Sequence, residues 1–315
     1  MVRTGEPGAT AVIPDDLGPV NCSDLVIAKP RSNVDARFLC YAINETAREF
    51  IKAHTVGAVQ QHFNVASAKE LTLRVPSLLE QRAIAVLLGA LDDKILINER
   101  IIDTADKLIR IMFTAALEAP GSRTIPLISA VSITFGAPFA SSEFNAKCRG
   151  IPLLRIRDLK TFTPQTWTNQ RLSRDFLVMP GETVAGMDAE FRPTFWLGEP
   201  ALLNQRVLHA QSRLGGGSAL AREALRPSLA EVESYKTGTT VAHLNKGDLE
   251  KLEVTIPSET QIQTFEAIAE PLRKQIVEAS AQSRTLGVLR DTLLPQLMSG
   301  RLRIRDAEQI VEDSL

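Results

Sequence analysis

The sequence predicts an α+β protein: two globular units, the first incomplete on its N-terminal side, joined by two long antiparallel coiled-coil helices. Three observations predict it. A proline-free apolar stripe runs through residues 77–117, residues 57–108 recur 181 positions later, and short alternating runs bounded by turn residues precede each stripe.

Within the first stripe, Ile84, Leu87, Leu91, Ile95, Ile101, Ala105, Leu108 and Met112 fall at steps of three and four. Their period, near 3.5, is that of a coiled-coil seam. At about 1.5 Å per residue the stretch makes a rod of roughly 60 Å, too long to fold back into an ordinary core, so it needs a partner helix. Asn98 sits at a core position. There a buried amide either fixes register at some cost in stability or sits at a frayed midpoint.

The partner is encoded in the same chain. With the offset of 181, Gly57 meets Gly238, His62 meets His243, Asn64 meets Asn245, and Pro76 and Ser77 meet Pro257 and Ser258. Ile84, Leu87, Leu91, Ala105, Leu108 and Met112 land on Phe265, Ile268, Leu272, Leu286, Leu289 and Leu293. The period is far too long for a solenoid; it reads as two copies of a globular unit followed by a long helix. Residue 1 corresponds to residue 182, so the 57 residues 125–181 have no counterpart in the first copy. The first domain is therefore expected to open partway through.

In chain order, 9–13 and 25–28 read as short strands, 38–54 as a helix, 55–64 as a polar loop and 71–75 as a strand ended by Pro76. The first long helix follows, and Pro120 and Gly121 close it. In the second copy 151–157 alternates like a strand, and 219–235 is a helical stretch interrupted by Pro227. Residues 237–245 form the second polar loop and 252–257 the second strand. Pro271, aligned with Ala90, predicts a kink or late start in the second long helix. The expected boundaries are 1–77, 78–120, 121–257 and 258–315.

Composition narrows the function. A length of 315 residues fits about two domains with real cores. A net charge of −1 gives no overall pull toward nucleic acid, although a local stripe of charge suffices for binding. Three cysteines without a C-x-x-C spacing fit a reducing cytosol and argue against a structural metal site. With no signal-peptide pattern and no apolar run of membrane-spanning length, the expectation is a soluble cytoplasmic protein.

The polar loops are the candidate nucleic-acid contacts. Lys147, Arg149, Arg155, Arg157, Lys160, Arg171 and Arg174 outnumber Glu143, Asp158 and Asp175 in one segment. Arg and Lys neutralise phosphates, and Arg, Asn and Gln read base edges in pairs of hydrogen bonds. Asn204, Gln205 and Arg206 suit that task, as do Thr239, Thr240, His243, Asn245 and Lys246, with Gln61, His62 and Asn64 in the first copy. Any one of them alone reads as a solvated group or a capped turn. The duplicated Gly-x-x-x-x-His-x-Asn loop points toward function, because a repeated polar loop needs a reason. No G-x-x-x-x-G-K-S/T loop, H-E-x-x-H or G-x-S-x-G is present, and the histidines are scattered. No catalytic residue, metal ligand or cofactor is assigned.

P-S-L-L-E-Q-R-A-I-A at 76–85 and L-D-D-K-I at 91–95 resemble the central conserved region of type I restriction–modification DNA specificity subunits. R-D-T-L-L-P-Q-L-M-S-G-R-L at 290–302 resembles their distal conserved region. L-L-N-Q-R at 202–206 and G-T-T-V-A-H-L-N-K at 238–246 resemble a target recognition domain. The resemblance implies two target recognition domains held apart by an antiparallel helix pair acting as a ruler, each reading half of a split double-stranded DNA site. It further implies docking of two methyltransferase subunits that carry S-adenosylmethionine, association with an ATP-driven restriction subunit, and no activity of the chain's own. The rival expectation is a helical adaptor that binds methyltransferase subunits and has lost DNA reading.

Overall fold

The computed structural model describes residues 1–3, 6–18, 22–54, 63–188, 191–236 and 243–314. In chain order the helices are α1 (Ala36–Thr46), α2 (Arg48–Ala53), α3 (Val65–Glu70) and α4 (Leu78–Glu118), then α5 (Leu127–Ala130), α6 (Ser218–Lys236), α7 (Lys246–Glu250), α8 (Glu259–Ser299) and α9 (Ile304–Ser314). The strands are β1 (Arg123–Pro126), β2 (Val131–Phe135), β3 (Phe144–Asn145), β4 (Ile151–Leu154), β5 (Trp167–Thr168) and β6 (Leu177–Val178), followed by β7 (Thr183–Gly186), β8 (Thr194–Phe195), β9 (Ala201–Leu203), β10 (Val207–Ser212) and β11 (Glu253–Ile256). Two compact units divide the chain: Met1–Ile97 with Ser283–Leu315, and Asn98–Gln282. Both divisions fall inside the long helices α4 and α8.

In the first unit the early part of α4 buries Ile84, Leu88 and Leu91 against Leu286, Leu289, Leu293 and Leu297 of α8, with Phe38 of α1 and Ala307 of α9 completing the core. In the second, Ala105, Ile109, Phe113 and Ala116 of α4 pack with Ile262, Phe265, Ala269 and Ile276 of α8 and with α6. Asp92 with Arg290, Asn98 with Gln282, and Phe113 with Phe265 each face one another, so α4 and α8 run antiparallel.

The seam drifts from the strict heptad. Leu108 is 39% exposed and does not pair; Ile109, with no exposure, is buried in its place. Leu87 and Ile268 are half-buried while their neighbours Leu88 and Ala269 are fully buried, and Leu272 packs at the margin of the core. A helix of 3.6 residues per turn rotates away from a 3.5-residue pattern by about 20° per heptad, so the buried face moves one residue along toward the ends.

Two prolines expected to interrupt helices do not. α6 continues through Pro227, which lies on its exposed side. α8 starts at Glu259 and runs through Pro271, correcting the late start. Pro271 and the residue four before it, Ala267, are both exposed, so the carbonyl that loses its amide partner is left to solvent.

The second unit holds the sheets. One has the order β2-β10-β7-β8, another β3-β5-β4-β9-β6, and β1 pairs with β11. Leu127, Ala130 and Val131 meet Leu208, Ala210, Ala221, Leu225 and Val254 in a core between α6 and the four-stranded sheet. In the first copy the expected strands at 9–13, 25–28 and 71–75 do not form; Val2 and Leu25 make one isolated bridge. β10 lies between β2 and β7, and β11 lies on β1. At the offset of 181, β10 corresponds to residues 26–31 and β7 to residues 2–5, where Val2 makes the isolated bridge to Leu25. The helix expected at 38–54 is present but divides at Ala47 into α1 and α2.

Candidate nucleic-acid interface

The polar residues of the second unit are placed by a buried parallel strand pair. In β4 and β9, Leu153 faces Leu202 and Leu154 faces Leu203, and all four are fully buried. Parallel strands end on the same edge, so the chain leaves β4 into Arg155 and Arg157 beside the point where it leaves β9 into Asn204, Gln205 and Arg206. The Asn204 amide donates to the Leu154 carbonyl (3.2 Å), which ties the two exits together. The Val207 amide donates back to the Asn204 carbonyl (2.9 Å) and closes the turn. Asn204 Oδ1 accepts from the Gln205 amide at 2.9 Å. Gly136 packs flat against this turn: a Cβ there would overlap the Asn204 carbonyl oxygen, so glycine alone fits.

The four residues after Arg155 form a 3-10 turn, Ile156–Leu159. Its anchor is Asp158, whose buried carboxylate accepts from the Arg155 amide (2.9 Å); burial pushes the Asp158 carboxyl above its ordinary range. Arg155 is half-buried, reaches Thr166 Oγ1 at 3.5 Å and lies 5.9 Å over the Phe144 ring. Arg157 and Lys160 are exposed.

The same rim continues through Asp188 to His243. The Met187 amide donates to the Arg206 carbonyl (3.0 Å), and the Leu244 amide donates to the Met187 carbonyl (2.8 Å). Asp188 and His243 are bridged through their backbones, and His243 Nδ1 donates to Asp188 Oδ1 at 2.5 Å. Arg206 Nη1 stands 3.7 Å from that same oxygen. Arg155, Arg157, Asn204, Gln205, Arg206 and His243 are thus linked through one edge of the second unit.

The repeated asparagines do something different from base reading. Asn64 Oδ1 accepts from the Ser67 amide (2.8 Å) and caps α3, while Asn245 Oδ1 accepts from the Asp248 amide (3.0 Å) and caps α7. Asp248 Oδ2 returns the bond by accepting from the Asn245 amide at 2.9 Å, a reciprocal box that satisfies two amides at the helix start. Capping supplies a folding reason for this part of the duplicated loop. Lys246 pairs with Glu250 across one turn of α7 at 3.6 Å. Gln61, His62, Thr239 and Thr240 lie outside the described residues.

The polar pattern did not single out Asp188 or Gly136 as part of this site. Asp188 lies 18 residues before Arg206 and 55 before His243, and only the sheet brings the three together. Among the described residues, no cluster of three or more His, Cys, Asp or Glu side chains is placed to hold a metal ion, and no helix is long and apolar enough to cross a membrane.

The second unit thus combines paired segments of the long helices with a sheet-built domain that has a polar, arginine-bearing edge. Residues 8–106 match the type I restriction modification DNA specificity domain family. The chain is 31% identical over 189 residues to the type I restriction enzyme EcoBI specificity subunit of Escherichia coli, a match covering 60% of this chain and 35% of that relative's length. It is 22% identical over 312 residues to the MjaIX specificity subunit of Methanocaldococcus jannaschii, covering 88% and 71%. In fold it is similar to the crystal structure of a type I restriction–modification S subunit from M. genitalium, with a TM-score of 0.57, 17% identity, and coverage of 84% of this chain and 73% of that one. Neither the family match nor these relatives favour the helical adaptor.

Proposed function

We propose that this chain is a DNA-sequence specificity subunit of a type I restriction–modification complex, without catalysis of its own. The observation that carries the reading is the convergence of Arg155, Arg157, Asn204, Gln205 and Arg206 at one sheet edge. Charge for phosphates and forked donors for base edges are presented together there. Residues 121–257 act as one target recognition domain and 1–77 belong to another; 78–120 and 258–315 supply the paired helices.

The partners are double-stranded DNA, methyltransferase subunits and a restriction subunit. Docking on the helices is supported by large apolar side chains that the seam leaves exposed: Leu79, Val86, Leu96 and Ile97 on the first part of α4, and Leu108 and Ile111 on the second. The test is long-read mapping of methylated sites in DNA from cells carrying this chain and its methyltransferase partner. A motif of two specified halves around a fixed gap is expected. Methylation independent of this chain, or none, overturns the reading.

A further inference from the structure

We propose that Asp188 is a specificity-determining positioning residue, which fixes the approach of the Arg206 guanidinium to one base pair of the recognised site. The inference rests on the DNA-reading function proposed above.

The geometry is a relay of three side chains. His243 and Asp188 are joined twice, by a backbone bridge and by the 2.5 Å bond from Nδ1 to Oδ1, so the carboxylate cannot swing away without losing its bond to His243. Asp188 is about three-quarters buried, with 24% of its side chain exposed, whereas Arg206 and His243 are about half exposed. The acid is therefore set back behind the two residues that face outward. Its Oδ1 lies 3.7 Å from Arg206 Nη1, an ion pair that draws one corner of the fork toward Asp188 while 53% of the arginine side chain stays exposed. The Arg206 backbone is held as well, because its carbonyl accepts from the amide of Met187, immediately before Asp188.

A carboxylate is an unfavourable neighbour for a phosphate, so its presence on this rim costs non-specific affinity. What it supplies in return is direction. A long arginine side chain has many rotamers, and paired hydrogen bonds to a guanine edge require one of them. A residue that acts through Arg206 makes a prediction that a generic charge effect does not: its loss relaxes the same base pair that loss of Arg206 relaxes.

The experiment is selection of bound duplexes from a randomised double-stranded library by the full-length chain, sequenced for the native protein, Asp188→Asn, Arg206→Ala and the double variant. His243→Ala tests the relay independently, because it leaves both Asp188 and Arg206 in place. The expected result is one preferred base pair lost in Arg206→Ala and the same pair weakened by about tenfold or more in Asp188→Asn. The double variant should be no worse than Arg206→Ala alone, and His243→Ala should weaken the same pair to a smaller extent. The proposal is overturned if Asp188→Asn changes affinity equally for all sequences, relaxes a different pair, or adds to Arg206→Ala. A native protein that selects no sequence at all would instead sink the DNA-reading function itself.

Discussion

Asn98 is 1% exposed in the middle of α4, and its Nδ2 donates to Gln282 Oε1 of α8 at 3.0 Å. A buried amide in an otherwise apolar seam is satisfied by one partner at one height, and a slip of either helix leaves it unpaired. Replacing Asn98 by Leu should raise the urea midpoint, by about 1 kcal/mol in stability, while broadening the distribution of oligomers by letting other registers form. Light scattering and urea titration check both halves; if neither moves, Asn98 has no register role.

Arg222 is 3% exposed on α6, bonded to Asp106 of α4 at 2.5 Å and to Glu223 at 2.7 Å, with its guanidinium 3.7 Å over Phe195. Asp106→Ala removes one partner and leaves Arg222 buried with Glu223 as its remaining ion-pair partner, which should destabilise the second unit by about 1–3 kcal/mol. The double change Asp106→Leu with Arg222→Met removes that arginine's charge as well, with Arg226 still paired to Glu223 at 3.0 Å, and should recover part of that loss in the same urea titration.

Arg206→Ala should cost on the order of 1–3 kcal/mol of affinity for the preferred duplex and relax preference at one position only. A uniform loss across sequences, with a shallower salt dependence, would make Arg206 a phosphate contact.

Gly136→Ala places a methyl group against the Asn204 carbonyl. The backbone there has little room to yield, because Gly136 and Ala137 donate to Val207 and Leu203. A loss of about 1–3 kcal/mol in stability is expected. Binding of a preferred duplex should fall at temperatures where the protein remains folded, as the turn carrying Arg206 is displaced. Unchanged binding would separate the turn from the interface.

Stability should decline in mild acid because of His209. This imidazole is 5% exposed, packs at a tilt against the Phe176 ring and lies 3.7 Å from Glu182; burial outweighs the Glu182 charge and holds its pKa below the ordinary 6.5. A depressed pKa means that the unfolded chain takes up the proton first. The stabilising contribution is therefore complete above pH 6.5 and is lost as pH falls from there through the lower folded value. Urea midpoints at pH 7.5 and below 6.5 should diverge more for the native protein than for His209→Gln.

Much of the architecture can be read in the sequence, for a physical reason. Long helices declare themselves through a period that Ile84, Leu91, Leu286 and Leu289 repeat over many turns, and the offset of 181 identifies the partner. What the pattern misplaces is phase: a 3.5-residue template picks Leu108 where the real helix buries Ile109. Strands are harder, since 25–28 has the composition of one but makes a single bridge, Leu25 to Val2, where β10 pairs along both β2 and β7. At the candidate interface Arg155 and Arg206 are visible as chemistry, yet their adjacency depends on the parallel pairing of β4 with β9. The caps were visible too: Asn245 followed three residues later by Asp248 is a helix start as much as a polar loop.

The caps bear on how such a chain diversifies. Asn64 and Asn245 occupy the same place in the two copies, but at the offset of 181 Arg206 corresponds to Leu25, Gln205 to Asp24 and Asp188 to Pro7. What the two copies share here is the carpentry of a helix start and the histidine two residues before it; Asp188, Gln205 and Arg206 of the proposed reading surface are not repeated. If the proposed reading holds, a unit of this design can be re-lettered by exchanging a handful of edge residues while its joints stay untouched.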